Sequence, residues 1–247
     1  SANFAWGHYH LSIDSQRARE SGVHHPLGLA GRGSGLLAPD MLERIAHLTP
    51  EALRRRCGDT DHPTDIQLRG SDEVGRLRSL DGFPKKSLPS LRTLDLSGNL
   101  LASLAPIEQH GALIALDASR NELVTWDGMR GLSCLRSLDL SGNRLAHVPA
   151  WLGGALPLLE TLDLGHNELS SLRELRALRP LRHLHRLSVL RGNPLESLPH
   201  ARCFVLSHCG GLQQLEERAV TLAETHEAAA RYPEEIEAQA KELATAA

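Results

Sequence analysis

The sequence predicts an α/β solenoid. Short strands stack coil on coil into a curved parallel sheet on the concave face, with short helical or 3-10 segments on the convex side and a helical cap at each end. Three observations predict it. Asparagines fall at Asn99, Asn121, Asn143, Asn167 and Asn193, spaced 22, 22, 24 and 26 residues apart. Fixed offsets from each asparagine are apolar: Leu94, Leu116, Leu138 and Leu162 lie five before, and Leu101, Leu123, Leu145 and Leu169 lie two after. Aromatics are only 3% of a chain that is 41% hydrophobic, so the core is built from many similar aliphatic layers, which suits repetition better than one globular centre.

Each element follows from that frame. Residues 1–40 carry no repeat and include the glycine-rich "GLAGRGSGLL", which reads as an extended segment. Phe4, Trp6 and Tyr9 nevertheless concentrate aromatics there, so the segment either anchors on a neighbouring subunit or folds back on its own solenoid. Residues 41–65 form the N-terminal cap, with Thr49 as N-cap and Pro50 at the first helical position. The repeats run over 66–196, Ile66 and Leu68 facing inward in the first coil although Ser71 stands where asparagine is expected. In the last coil, strict spacing from Asn193 would put Ser188 on a leucine position, and a one-residue bulge around Leu187 restores burial. Residues 197–220 close the stack. Thr221 and Glu224 open a capping box for a helical tail over 221–247 that Pro233 interrupts. From Glu216 onward, eight acids face only Arg218, Arg231 and Lys241, so the tail is a solvated acidic helix or a docking element.

The strand words "LRTLDLSGN", "LRSLDLSGN" and "LETLDLGHN" carry L-x-x-L-x-L-x-x-N at 91–99, 135–143 and 159–167, with "LIALDASRN" as a looser copy. Through them the chain resembles the leucine-rich repeat family over roughly residues 66–220. The segment "GNPLESLPHARCFVLSHCGGLQQLEERAVT" is similar to the C-terminal cap of the intracellular 22-residue subfamily. Arg202, Val205, Leu212, Leu215 and Val220 match it, and Ala201 replaces the usual tyrosine. The entry "LTPE…QLRG…LDGF" resembles ciliary and spliceosomal A-prime-like members, and phosphatase-regulating solenoids share both flanks. The resemblance implies a non-enzymatic scaffold in a large intracellular assembly. The first expectation is a ciliary or flagellar axoneme, in a microtubule-associated complex of the cytoplasm and cytoskeleton. The alternatives are an A-prime-like ribonucleoprotein component of the nucleus and a phosphatase-targeting subunit. Secreted relatives close their ends with disulfide-bonded cysteine clusters. Cys57, Cys134, Cys203 and Cys209 form no such cluster, which implies a reducing compartment.

Candidate chemistry centres on the residue between the two strand leucines: Asp95, Asp117, Asp139 and Asp163. Side chains alternate across a strand, so these acids form one column on the concave sheet, about 4.7–4.9 Å apart. Thr93, Ala115, Ser137 and Thr161 flank it on one side, and Ser97, Ser119, Ser141 and Gly165 on the other. No histidine, lysine or nucleophile recurs beside them, so no catalytic residue is assigned. A straight ladder encloses no coordination sphere, so no metal or other cofactor is assigned. The column is either architecture that keeps the sheet wet or an acidic trough for a basic helix or strand. A second charged feature, "RELRALRPLRHLHR", sets Arg173, Arg176, Arg179 and Arg182 at every third residue as one ridge, which is either a site for nucleic acid or acidic tubulin-like tails or a solvated ridge partly neutralised by the chain's own acidic C-terminal helix. The expected partner-binding set is therefore Asp95, Asp117, Asp139, Asp163, Thr93, Ser137, Thr161, Trp6, Tyr9, Arg173, Arg176 and Arg179. A net charge of −3 and the absence of aromatics interleaved with the ridge argue against direct nucleic-acid binding. "HARCFVLSHC" offers His and Cys at a spacing that suits a cap helix better than zinc. No apolar run approaches the length of a membrane span.

Overall fold

The structure, a computed structural model, describes residues 45–46, 48, 63–71 and 75–234. Every described residue belongs to one compact unit, Ala38–Ala247. Strands β2 (Asp65–Gln67), β4 (Thr93–Asp95), β5 (Ala115–Asp117), β6 (Ser137–Asp139), β7 (Thr161–Asp163), β8 (Arg186–Ser188) and β9 (Gln214–Leu215) pair in parallel, each with the next. The short β10 (Arg218–Ala219) closes this sheet antiparallel to β9. A second sheet pairs β1 (Ile45–Ala46) with β3 (Arg76–Leu77). Thus a strand lies within the expected helical entry, while the helix start at Thr49 and Pro50 lies outside the described residues.

Strands this short follow from the leucine pattern. Only the central residue of each must face inward, and the chain then turns away. Ile66, Leu94, Leu116, Leu138, Leu162, Leu187 and Leu215 lie in register as one continuous layer, each 2% exposed or less. Burying a leucine completely contributes about 1.5–3 kcal/mol, so the layer is a large share of the driving force.

The asparagines tie the coils together. Asn143 Nδ2 donates to its own coil at the Leu140 carbonyl (2.9 Å) and to the preceding coil at the Ala118 carbonyl (3.0 Å). Its Oδ1 accepts from the Leu123 amide at 3.0 Å. Asn99, Asn121, Asn167 and Asn193 repeat the arrangement with Leu68, Leu96, Leu140 and Leu164 as the preceding carbonyls. All five are buried. The backbone needs these partners because, at the turn out of the strand, the ladder is no longer there to satisfy it.

On the far side of the coil a buried side chain recurs at every third residue, as 3-10 turns require. His110 occupies such a position among Leu104, Ile107 and Leu113, with no exposed surface. Its Nδ1 contacts the Ile107 carbonyl at 3.2 Å, its Nε2 has no hydrogen-bond partner, and its ring meets Phe83 edge-on at 5.1 Å. Burial, partly opposed by the Ile107 hydrogen bond, holds its pKa below the usual 6.5.

The expected bulge in the last coil is present but lies after β8. Leu187 keeps register with Leu162, so Ser188 faces outward beside Asp163. Leu164 and His166 bond to the carbonyls of Ser188 and Arg191, so three residues oppose two and the extra one falls between Ser188 and Arg191. The next coil supplies the reason. Glu216, at φ 57°, takes the Val189 and Leu190 amides on Oε1 (2.9 and 2.8 Å) and the Ser188 hydroxyl on Oε2 (2.9 Å).

The helix α1 (Leu152–Ala155) lies on the convex side; α2 (Ala201–His208) and α3 (Leu222–Arg231) cover the C-terminal end. The expected capping box at Thr221 and Glu224 forms, and α3 ends at Arg231, two residues before Pro233. Arg202 joins the two helices, donating to Glu224 at 2.7 Å and to the Leu215 carbonyl at 3.0 Å. The Arg202 hydrogen bond holds the Glu224 carboxyl down at about 2.

Replacing Asn143 with Ala orphans the buried Leu123 amide and removes one of the two asparagine donors at the Ala118 and Leu140 carbonyls, which Asn121 and Asn167 still serve, so stability should fall by about 2 kcal/mol, read as a lower urea midpoint. Asn143→Asp should also destabilise, since a carboxylate cannot donate to the Ala118 and Leu140 carbonyls. His110 binds protons more readily unfolded than folded, so it supports the fold fully above pH 6.5 and less as pH falls below that value. His110→Leu should flatten the fall in stability between pH 7 and 5.5; an identical slope in both proteins would sink this reading.

Candidate functional site

Each strand of the main sheet presents its first and third residues to the concave side. The first-position column reads Asp65, Thr93, Ala115, Ser137, Thr161 and Arg186, and the third-position column Gln67, Asp95, Asp117, Asp139, Asp163 and Ser188. The four aspartates are thus direct neighbours across the strands, with Thr93, Ser137 and Thr161 beside them. The trough is shallow because its lining is small.

The aspartates are not simply exposed. The amides of Leu96 and Gly98 continue the ladder to the Asp117 and Ser119 carbonyls, and the Ser97 amide between them turns to its own coil. Asp95 Oδ1 accepts from that amide at 2.9 Å and from the Ser97 hydroxyl at 2.6 Å. Asp117 does the same with Ser119 (2.9 and 2.7 Å), Asp139 takes the Ser141 amide at 2.8 Å, and Asp163 the Gly165 amide at 2.8 Å. One oxygen of every acid therefore closes a local turn at the strand exit. Where Ser188 replaces the aspartate, Glu216 supplies the acceptor from the following coil.

The other oxygens differ along the column. Asp95 is 4% exposed and its Oδ2 meets Arg69 at 2.9 Å. Asp163 Oδ2 is 3.9 Å from Arg191, which also holds Glu217 at 2.6 Å. Asp117 and Asp139 lie between, half-buried, with no ion pair among the described contacts. Burial first, then the neighbouring carboxylate, raises both pKa values: Asp139 acts on Asp117, and Asp163 acts on Asp139. Burial also raises Asp163, against the Gly165 amide and Arg191. The column therefore holds negative charge under tension, which a cation laid across it would relieve.

The remaining expected residues lie elsewhere. Arg173 and Arg176 are exposed on the 3-10 helix Leu172–Leu178, and Arg179, half-buried, follows as its C-cap. These arginines do not join the aspartate column. Trp6 and Tyr9 lie outside the described residues. "HARCFVLSHC" falls on α2, where His208 and Cys209 are buried in the cap and burial pushes the Cys209 thiol up to about 12. Among the described residues no group of three or more His, Cys, Asp or Glu could hold a metal ion, and no helix is long and apolar enough to cross a membrane. An open hollow of about 590 Å³ lies among the loops around Pro89, Glu108 and Arg130. No sequence motif marks it.

A stack of parallel strands on leucine layers, with asparagine turns and a small-residue concave face, is the build of a protein-interaction solenoid. A family model described as "Leucine-rich repeat" matches residues 92–245, and the chain belongs to that family. Its members are protein-binding scaffolds. No curated protein matches at a significant level. Solved structures similar to the chain include one from the SNF/U2A′ complex of Drosophila melanogaster, at 22% identity over 75% of this chain and 91% of that one, with a TM-score of 0.46. The functional domain of InlJ from Listeria monocytogenes is similar at 21% identity over 66% of this chain and 33% of that one, with a TM-score of 0.48. A leucine-rich repeat protein of Leptospira interrogans is similar at 27% identity over 62% and 42%, with a TM-score of 0.44.

The two roles of Asp139 can be separated. In Asp139→Asn the amide oxygen still accepts from Ser141, while the charge is gone. The raised acid supports the fold fully below its unfolded value near 3.8 and loses that contribution as pH rises through the folded value. Asp139→Asn should therefore match or exceed the parent's stability at pH 7, and Asp139→Ala should lose about 1 kcal/mol as the Ser141 amide is orphaned. Urea titrations of both at pH 4 and 7 would check this.

Proposed function

We propose that the chain is a non-enzymatic scaffold that holds a basic helix or strand of a protein partner along its concave sheet. One observation carries the reading. Asp117, Asp139 and Asp163 stand in register with raised pKa values, each with one oxygen committed to its own turn, and the second oxygen of Asp163 also lies 3.9 Å from Arg191. Lysines or arginines of a partner would relieve the repulsion that the fold itself tolerates. Ala115, Ser137 and Thr161 beside them leave room for a close backbone approach. Trp6 and Tyr9 are assigned to a contact with a neighbouring subunit. The host assembly is read as axonemal, on the resemblance of the segments flanking the repeats. The A-prime-like and phosphatase-regulator alternatives predict different companions.

In the purified native complex, carbodiimide should join Asp117, Asp139 or Asp163 to partner lysines. Each close charge pair is worth about 1.5 kcal/mol or more, roughly tenfold in affinity. The triple variant Asp117→Asn, Asp139→Asn, Asp163→Asn should thus bind at least tenfold more weakly while melting no lower than the parent. Unchanged affinity would leave the acids purely architectural. Association with salt-washed axonemes, with nuclear RNA, or with a phosphatase catalytic subunit separates the three host assemblies.

A further inference from the structure

Two loops on the far side of the coils meet backbone to backbone. A Cβ on Gly131 would fall 1.9 Å from the Glu108 carbonyl oxygen, and one on Gly111 would fall 2.9 Å from the Gly131 carbonyl oxygen. Neither position can take a side chain unless backbone moves, so the surface stays low there. The open hollow of about 590 Å³ lies over these glycines, a volume within the ordinary range of ligand sites.

The lining of the hollow carries two opposite charges. Glu108 and Arg130 stand nine residues after Asn99 and Asn121, so they hold the same position in successive coils. They do not pair with each other, and among the described residues neither has an ion-pair partner. The Arg130 guanidinium lies instead over the Trp151 ring of the next coil, 4.3 Å from its centroid. Trp151 is out of pattern. The position eight after the coil asparagine holds Ile107, Met129 and Leu175 elsewhere, all buried, whereas Trp151 is half-buried. The coil needs an aliphatic side chain there, and the wider ring adds a face on which a cation can rest. Stacking occupies the face of the guanidinium and leaves its in-plane N–H donors to other acceptors. An arginine held this way has less freedom to lose when it binds.

We propose that this hollow is a second docking site, outside the concave trough, for a partner loop that carries one acidic and one basic side chain. The acid takes the in-plane N–H groups of Arg130, whose fork suits a carboxylate, and the base takes the Glu108 carboxylate. In an extended segment, residues two apart project from one face at roughly 6.6–6.8 Å, so a Glu-x-Lys word presents both charges together. Gly111 and Gly131 let the loop backbone come close, and the exposed Ser87 and Gln109 supply a hydroxyl and an amide for its peptide groups. A purely basic segment, the kind assigned to the trough, meets Arg130 here, and a purely acidic one meets Glu108. The two sites therefore select different partners.

The test uses the full chain and three labelled peptides with blocked ends, read by fluorescence anisotropy. The first is Gly-Ser-Glu-Ser-Lys-Ser-Gly; the second has Gln for its Glu, and the third has Gln for its Lys. The first should bind most tightly, each lost charge weakening it roughly threefold. Arg130→Gln should weaken the first peptide by the same factor and leave the second unchanged. Glu108→Gln should weaken the first and leave the third unchanged, as pairwise coupling requires. Trp151→Leu, which installs the residue type found at Leu175, should match Arg130→Gln and add no further loss when combined with it. Trp151→Phe, which keeps an aromatic face, should bind as the parent does. If Trp151→Leu melts early, Trp151→Phe and the two surface variants still decide the matter. The triple Asn variant of the concave column should bind the first peptide as the parent does, so failure here and failure of the concave reading are distinguishable. Equal affinity for all three peptides, binding indifferent to Arg130→Gln and Glu108→Gln, or loss of binding in the concave variant would each overturn the proposal.

Discussion

Everything in this molecule depends on the asparagine amide that links one coil to the one before it. A single coil buries leucines on one side only and leaves turn amides and carbonyls without ladder partners. The side chain of Asn143 answers three of them at once, two within reach of its Nδ2 and one at its Oδ1, and it spans two coils in doing so. The leucine layer supplies driving force without direction, because aliphatic contacts tolerate sliding. The amide supplies the register that turns a layer into a sheet.

With register fixed, the outward residues fall into columns whether or not they attract. Burial first, and then repulsion between neighbouring carboxylates on adjacent strands, raises the pKa values of Asp117 and Asp139. The same side chains complete the strand exit by accepting the amide two residues on. Architecture and recognition are therefore superimposed on one group, with one oxygen for each.

Much of this was legible because repetition multiplies a weak signal. The leucine columns, the asparagine spacing and the outward aspartates could be read by offset alone. The turn-closing role of aspartate was not, since D-x-S shows a spacing but not that the serine amide lacks a ladder partner. His110 was hidden for a related reason. It stands in the three-residue rhythm of the convex side, where Leu132 and Leu181 occupy comparable positions, and the offsets that carry the repeat do not reach it. The bulge was expected near Leu187 but forms between Ser188 and Arg191, because the carboxylate that stabilises it belongs to Glu216, 26 to 28 residues away.

The reversal at β10 decides how far such a stack can grow. A parallel sheet of this kind has no internal reason to stop, and the edge strand of one molecule could template another. After β9 the chain turns back through Glu216, in a left-handed conformation, and lays the two exposed residues Arg218 and Ala219 antiparallel along the edge. An incoming strand then meets the wrong polarity, only two residues of pairing length, and a positive charge. At this end, polymerisation is opposed by direction as well as by cover.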